Sequence, residues 1–235
     1  TEVFISEHDK ALAAADALFK ARVSDAKALE GLAAYRKMAA DSNRKDSEAL
    51  WRIGAATYFV GFRVEKDEKK KEELFKEGRD ACTEAVKISP KCAPCHFWMA
   101  INMALYGQSV GVFKMYFTLP EIEDHLKKTI EIEPKTTFGG SYRLLGTIQE
   151  KLPGILGGSN KKAREYYEKA IEVAGDEPLN YLFMANLLDD KFDDKAQAKI
   201  YAEKGLAIKI TDPERLESFE AQRDLQKVLE RISEK

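Results

Sequence analysis

Cysteine and histidine are scarce in this 235-residue chain, with three of each, and no run of about 18 apolar residues occurs. Three cysteines, Cys82, Cys92 and Cys95, are too few to staple a small fold and odd in number for an exported one, so they leave the compartment open. Without a long apolar run no segment reads as a membrane-spanning helix. The chain opens at Thr1 without the basic and apolar stretch of a signal peptide, so any leader is expected to have been removed. No asparagine is followed two places on by Ser or Thr. An excess of one charge is missing too: 38 basic side chains face 40 acidic ones, and a net charge of -2 supplies no field for nucleic acid or anionic membrane.

Catalytic signatures are also absent. There is no P-loop, GxSxG elbow or HExxH, and the run from Gly139 to Gly146 lacks the preceding strand of a dinucleotide loop. The carboxylate pairs Asp189-Asp190 and Asp193-Asp194 read as solvated or capping groups at helix ends. No enzyme is expected.

What is present is a 44% hydrophobic composition, enough for a continuous core, and an internal repeat. A large residue followed by a tiny one recurs at Ile53-Gly54, Met99-Ala100, Leu145-Gly146 and Met184-Ala185, the small residues being spaced by 46, 46 and 39. A tiny residue on one helix lets a second helix cross close to its backbone, which is the tetratricopeptide (TPR) arrangement. The spacings exceed the usual period of about 34, so the loops are expected to carry insertions. Second helices show small, bulky and small residues on one face: Ala163, Tyr167 and Ala170; Ala198, Ala202 and Gly205; Gly78, Cys82 and Ala85; and, most loosely, Ile122, Leu126 and Thr129. Pro90 and Pro134 follow two of these helices where the chain must turn.

The expected fold is therefore all-α, a TPR-like α-solenoid of antiparallel helix pairs with capping helices at both ends. A capping pair occupies 1–44, four TPR-like repeats with long inserted loops occupy 45–210, and a capping helix set up by Asp212-Pro213 occupies 211–235. The charged run Glu65 to Lys76 reads as a solvated helix face. Gly107 to Pro120, with Val110, Val112, Phe113, Met115, Phe117 and Leu119, is too apolar for a solvated loop and is expected to pack over the repeats or line a ligand passage. Lys151 to Gly158 is read as a tight turn anchored by two leucine-like side chains.

The stretches GGSYRLLG, KLPGILGGSNKKAREYYEKAIE and PLNYLFMANLL between Gly139 and Leu188, with HFWMAINMALYGQSVGV before them, resemble bacterial TPR proteins related to the periplasmic T component of TRAP-type transporters. The resemblance covers roughly Asn43 to Lys227. It implies a periplasmic or otherwise exported protein, with a groove or pore, that associates with a substrate-binding protein and passes an apolar ligand.

First-helix residues just after the opening large residue face the concave side of a TPR stack. That phase selects Trp51, Arg52 and Tyr58, then Phe97, Trp98 and Ile101, then Arg143 and Thr147, then Leu182, Phe183 and Asn186. Aromatic rings with interspersed Arg and Asn suit a face for a partner protein or an apolar small ligand. The alternative is that the inserted apolar segment covers Trp51 and Trp98 as core.

Cys92-Ala-Pro-Cys95-His96 matches the c-type haem attachment pattern, in which two thiols add to the vinyl groups and the adjacent imidazole ligates iron. His125, Met103, Met115 and His8 are the candidate sixth ligands. In the repeat register Cys92 falls at a helix N-cap, Cys95 in the first turn and His96 at the first core-facing position. The resemblance places a histidine or aromatic residue there without needing haem. The other readings are a disulfide of Cys82 with Cys95 or Cys92, simple buried thiols, and a zinc site from Cys82, Cys92, Cys95 and His96. The leading expectation is a cofactor-free binding scaffold; the alternative is a monohaem cytochrome on a TPR frame, which could self-associate into filaments through its ends.

Overall fold

The computed structural model describes residues 6–234, with the backbone alone for Val112. Residues 1–5 and 235 of the expected caps lie outside the described residues. Eleven α-helices and no strand are present among the described residues: α1 (Glu7–Lys20), α2 (Asp25–Asp41), α3 (Ser47–Phe59), α4 (Glu68–Ile88), α5 (Ala93–Val110), α6 (Val112–Ile132), α7 (Gly140–Lys151), α8 (Asn160–Val173), α9 (Pro178–Phe192), α10 (Lys195–Leu206) and α11 (Leu216–Ser233). Side chains with an oxygen or sulfur start most of them. Ser6, Asp46, Asp67, Cys92, Ser159, Glu177 and Asp194 each accept a backbone N–H of the first turn, satisfying donors that a helix start otherwise leaves open. Pro94 and Pro178 sit in the first turns of α5 and α9, where the missing N–H costs nothing.

The chain divides into two compact units, Thr1–Ile132 and Glu133–Lys235. In the first, α1 pairs with α2, α3 with α4 and α5 with α6, while α2 packs on α3, α4 on α5, and α3 on α5. The second holds the pairs α7 with α8 and α9 with α10; α8 packs on α9, and α11 closes over α9 and α10.

The small residues do what the repeat requires of them. A Cβ on Gly54 would lie 2.2 Å from Cys82 Sγ, and one on Gly146 would lie 2.4 Å from Tyr167 Cε1. Ala100 and Ala185 are buried, as are all twelve of the second-helix residues named above. Cys82 and Tyr167 are thus the knobs that fill the space beneath Gly54 and Gly146.

Two expectations about loops change. The long spacings are carried mainly by helix: α4 and α6 have 21 residues each, and α5 passes to α6 through Gly111 alone, whose φ of 127° permits the reversal. The apolar segment 107–120 is therefore the end of α5 and the start of α6, with Pro120 inside α6, rather than an inserted loop. In the turn after α7, Ile155 is 95% exposed and Leu156 is exposed as well, so neither anchors it, and of its apolar side chains only Leu152 is half-buried. Backbone bonds anchor it, from Ser159 N–H to Gln149 O at 2.8 Å and from Gly158 N–H to Pro153 O at 3.1 Å.

Candidate protein-binding face

Of the residues selected for the concave face, the first unit brings Tyr58, Phe97 and Trp98 together. Tyr58 and Trp98 have ring centroids 5.5 Å apart, and Phe97 meets Trp98 edge-on at 5.0 Å. Phe97 is buried, because its place in the first turns of α5 turns it into the core; it supports Trp98 and presents no surface. Ile101 is half-buried on the same helix. Phe62, which the repeat phase did not select, stacks on Tyr58 at 5.9 Å and is 62% exposed. It lies in a π-helical turn, Val60–Val64, that extends α3 beyond its α-helical end. Its position four residues after Tyr58 was the available signal, but only on the assumption that α3 continued that far.

Trp51 and Arg52 form a separate cluster. The Arg52 guanidinium covers the Trp51 ring at 4.2 Å and donates to Asp16 of α1 at 2.7 and 3.0 Å and to Glu48 at 2.6 Å. Tyr35 of α2 donates its hydroxyl to the same Asp16 at 2.7 Å, and burial beside that carboxylate pushes the phenol far up. Arg52 thus fastens the N-terminal cap to α3.

In the second unit the selected polar residues are likewise held internally. Arg143 donates to the carbonyls of Thr137 and Phe138 and to Asn180, bracing a turn in which Thr137, Phe138 and Gly139 all have left-handed φ. Thr147 donates to the Arg143 carbonyl. Asn186 accepts from Arg231 of α11 at 3.1 Å, and Phe183 packs edge-on against Tyr167 at 5.6 Å. Leu182 is buried.

The apolar segment 107–120 is divided. Leu119 is buried and Met115 backs onto Gly107, whereas Phe113 and Phe117, a turn apart on α6, are exposed. The side chain of Val112 lies outside the described residues.

The cysteines pair differently from the expected Cys82 bridge. Cys92 and Cys95 are joined to each other, and Cys82 is a free, buried thiol. Its sulfur is committed to the space beneath Gly54, and burial alone pushes the thiol far up. The four proposed zinc ligands therefore do not converge, and no group of three or more His, Cys, Asp or Glu residues that could hold a metal occurs among the described residues. Haem attachment fits poorly here. Both thiols are consumed by their mutual bridge, and His96, 3% exposed, has both ring nitrogens engaged: Nε2 with Pro90 O at 2.9 Å and Nδ1 with His125 Nδ1 at 2.7 Å. Since a carbonyl only accepts, His96 Nε2 carries a proton; the neutral ring then accepts at Nδ1 from His125 Nδ1–H. Among the proposed sixth ligands, His125 is taken by this contact, His8 by Asp46 at 2.8 Å, and Met103 is buried.

A family model described as regulator of microtubule dynamics protein 1-3 matches residues 11–233. The chain belongs to that family. A member in Mus musculus, regulator of microtubule dynamics protein 1, is 24% identical over 154 residues, covering 59% of this chain and 50% of its own length. The chain thus spans about half the length of that curated relative. A thermophilic TPR protein from Thermus thermophilus is similar in structure, with a TM-score of 0.67, 16% identity, and coverage of 94% of this chain and 98% of that one. This likeness establishes the TPR-like fold. The matched family is not the transporter component that the loop sequences resemble, and the comparisons do not support that finer likeness.

Proposed function

We propose that this family member is a binding module that engages a protein partner through the ring cluster of Tyr58, Phe62 and Trp98 on the first helices of its N-terminal unit. The observation that carries this reading is the part-exposed contact of three large rings, Phe62 stacked on Tyr58 and Tyr58 tilted against Trp98, with Phe62 62% exposed at its edge. Exposed aromatic rings with few rotatable bonds supply binding area at low entropic cost, and they are over-represented among residues that dominate interfaces.

The name of the mouse relative suggests microtubules as the partner. Co-sedimentation of the purified chain with polymerised tubulin tests this: wild type is expected to pellet, and Phe62→Ser with Trp98→Ala to pellet at least about tenfold less. A wild-type chain that stays in the supernatant ends the microtubule reading. The Cys92–Cys95 bridge supports a different finer reading, an exported chain in an oxidising compartment such as the periplasm, with a secreted binding protein or an apolar ligand as occupant of the same rings. Alkylation of intact cells followed by mass spectrometry separates the two, since a bridge reduced in the cell removes the support for export.

A further inference from the structure

The cysteine bridge has a local construction that the binding reading does not use. Cys92 is the N-cap of α5, an 18-residue helix, and its sulfur accepts the Cys95 backbone N–H at 3.2 Å. Cys92 is half-buried, whereas Cys95 is completely buried. The first turn of α5 contains no acidic residue, and Lys91 precedes the cap. A sulfur in this position gains from the unpaired N–H groups and positive end of the helix when it carries negative charge.

We infer that Cys92 and Cys95 form a thiol–disulfide exchange site for dithiols, with Cys92 the sulfur that is attacked and Cys95 the resolving sulfur. The asymmetry of burial sets these roles, because an incoming thiolate reaches Cys92 and not Cys95. The thiolate attacks Cys92 Sγ; the bridge breaks, and Cys95 leaves with the bonding pair and takes up one proton. The second thiol of the dithiol, having lost its proton, then attacks its own sulfur in the mixed disulfide. Cys92 departs as a thiolate held by the Cys95 N–H, and the dithiol leaves as its disulfide. Two electrons pass from dithiol to bridge, and of the two protons released one resides on Cys95 and one goes to solvent. The reverse sequence oxidises the Cys92–Cys95 pair at the expense of an incoming disulfide.

Cys82 serves as an internal control: fully buried beneath Gly54, with its thiol pushed up by burial, it takes no part.

Native protein treated with dithiothreitol, then alkylated and mapped by mass spectrometry, tests the assignment. Reduction without denaturant is expected, followed by labelling at Cys92 first and at Cys82 not at all. At neutral pH the Cys92 rate should exceed that of a free cysteine peptide by on the order of tenfold, because the Cys95 N–H and the helix start favour the sulfur in its charged form. In Cys95→Ser, oxidised glutathione should leave a stable mixed disulfide at Cys92. A bridge that resists dithiothreitol until the protein unfolds, an alkylation rate no faster than the peptide, or glutathione adducts at Cys82 instead of Cys92 in the Cys95→Ser variant would each overturn the proposal. The first two measurements use wild-type protein and do not depend on how the variant folds.

Discussion

Cys82 and Tyr167 occupy the same register in their repeats, each beneath the small residue of the preceding first helix, yet the two units fill that space in opposite ways. In the second unit the Tyr167 ring packs against Gly146 and extends its hydroxyl to Glu150 Oε2 at 2.9 Å. In the first unit the thiol of Cys82 is too small to fill the space alone. The next helix supplies the remainder: the point where a Gly54 Cβ would lie is 3.2 Å from Trp98 Cβ and 3.4 Å from Asn102 Nδ2. Asn102 donates to the carbonyls of Gly54 and Trp98 at 2.9 and 2.8 Å, and Thr57 donates to its Oδ1 at 3.3 Å. The repeat dictates close approach and filled volume, and a buried polar network or an aromatic ring satisfies it equally well.

The largest effect should come from emptying the aromatic version. Tyr167→Ala is expected to cost about 3–5 kcal/mol, the range for deleting a buried aromatic side chain, with the hydroxyl contact to Glu150 lost as well. Cys82→Ala removes a single heavy atom and should cost about 1 kcal/mol. Urea denaturation followed by circular dichroism reports both units, whereas tryptophan emission reports the first alone, since Trp51 and Trp98 both lie there. Equal losses for the two substitutions would break the comparison.

The units also differ in their response to acid, because His8, His96 and His125 all lie in the first. Burial, then the neighbouring His96 ring and the charge of Lys128, hold His125 down to about 4, with Asp124 opposing weakly. In the unfolded chain it titrates near 6.5. Between these values the unfolded state alone binds the proton, so this contribution is present above pH 6.5 and is lost as pH falls toward 4, by about 3 kcal/mol in all. Exposed His8, raised by its hydrogen bond to Asp46, pulls in the opposite direction. Urea midpoints from tryptophan emission should fall between about pH 6.5 and 4 in wild type and fall less in His125→Phe. A midpoint that ignores pH in this window would show that the imidazole is not desolvated.

The crossings were legible in the sequence because small residues recur at a helical interval and nothing else satisfies that pattern so economically. Gly54, Ala100, Gly146 and Ala185 could be placed from their neighbours alone. Cys82 followed as a knob from the same pattern, but its free thiol did not, since whether it reaches Cys92 or Cys95 depends on the rotation of α4 against α5 by part of a turn. The helical state of the apolar stretch 107–120 is not legible locally because Gly107, Gly111 and Pro120 are turn residues by preference; tertiary packing of Met115 and Leu119 holds the segments on either side of Gly111 in helix. Of the face, Tyr58 and Trp98 followed from the phase, while Arg52, Arg143 and Asn186 carried no mark to distinguish a partner in another molecule from Asp16, Asn180 and Arg231 in their own.

An intermediate effect sharpens the contrast at the glycine itself. Gly54→Ala gains helix propensity of about 1 kcal/mol but places its Cβ 2.2 Å from Cys82 Sγ, and overpacking of that kind costs about 1–3 kcal/mol. Pairing it with Cys82→Ala should recover most of the loss, a non-additivity expected of touching residues. Gly146→Ala meets the fully buried ring of Tyr167, and Tyr167→Ala in the same chain should relieve the clash only by leaving a cavity. A double variant at the first pair no more stable than Gly54→Ala alone would remove Cys82 from beneath Gly54.

The smallest effect concerns the charges that join helices. In the first unit Arg36 meets Glu77 at 2.6 Å and Arg44 meets Glu84 at 2.7 Å, all four side chains being at least a third exposed. Long exposed side chains lose entropy on pairing and are screened by salt, so Arg36→Met should cost less than about 1 kcal/mol, and the cost should vanish in about 1 M NaCl. The second unit uses a better-shielded pair, Arg215 with Glu177 at 2.9 Å, with side chains 14% and 5% exposed and the Ser218 hydroxyl on the same carboxylate oxygen. Salt reaches that pair far less, so raising ionic strength should shift the tryptophan-detected midpoint for Arg36→Met relative to wild type and leave the difference between Arg215→Met and wild type, followed by circular dichroism, almost unchanged. Equal salt sensitivity at both pairs would mean that burial at Glu177 does not exclude ions, and the contrast between the units would then rest on the knobs alone.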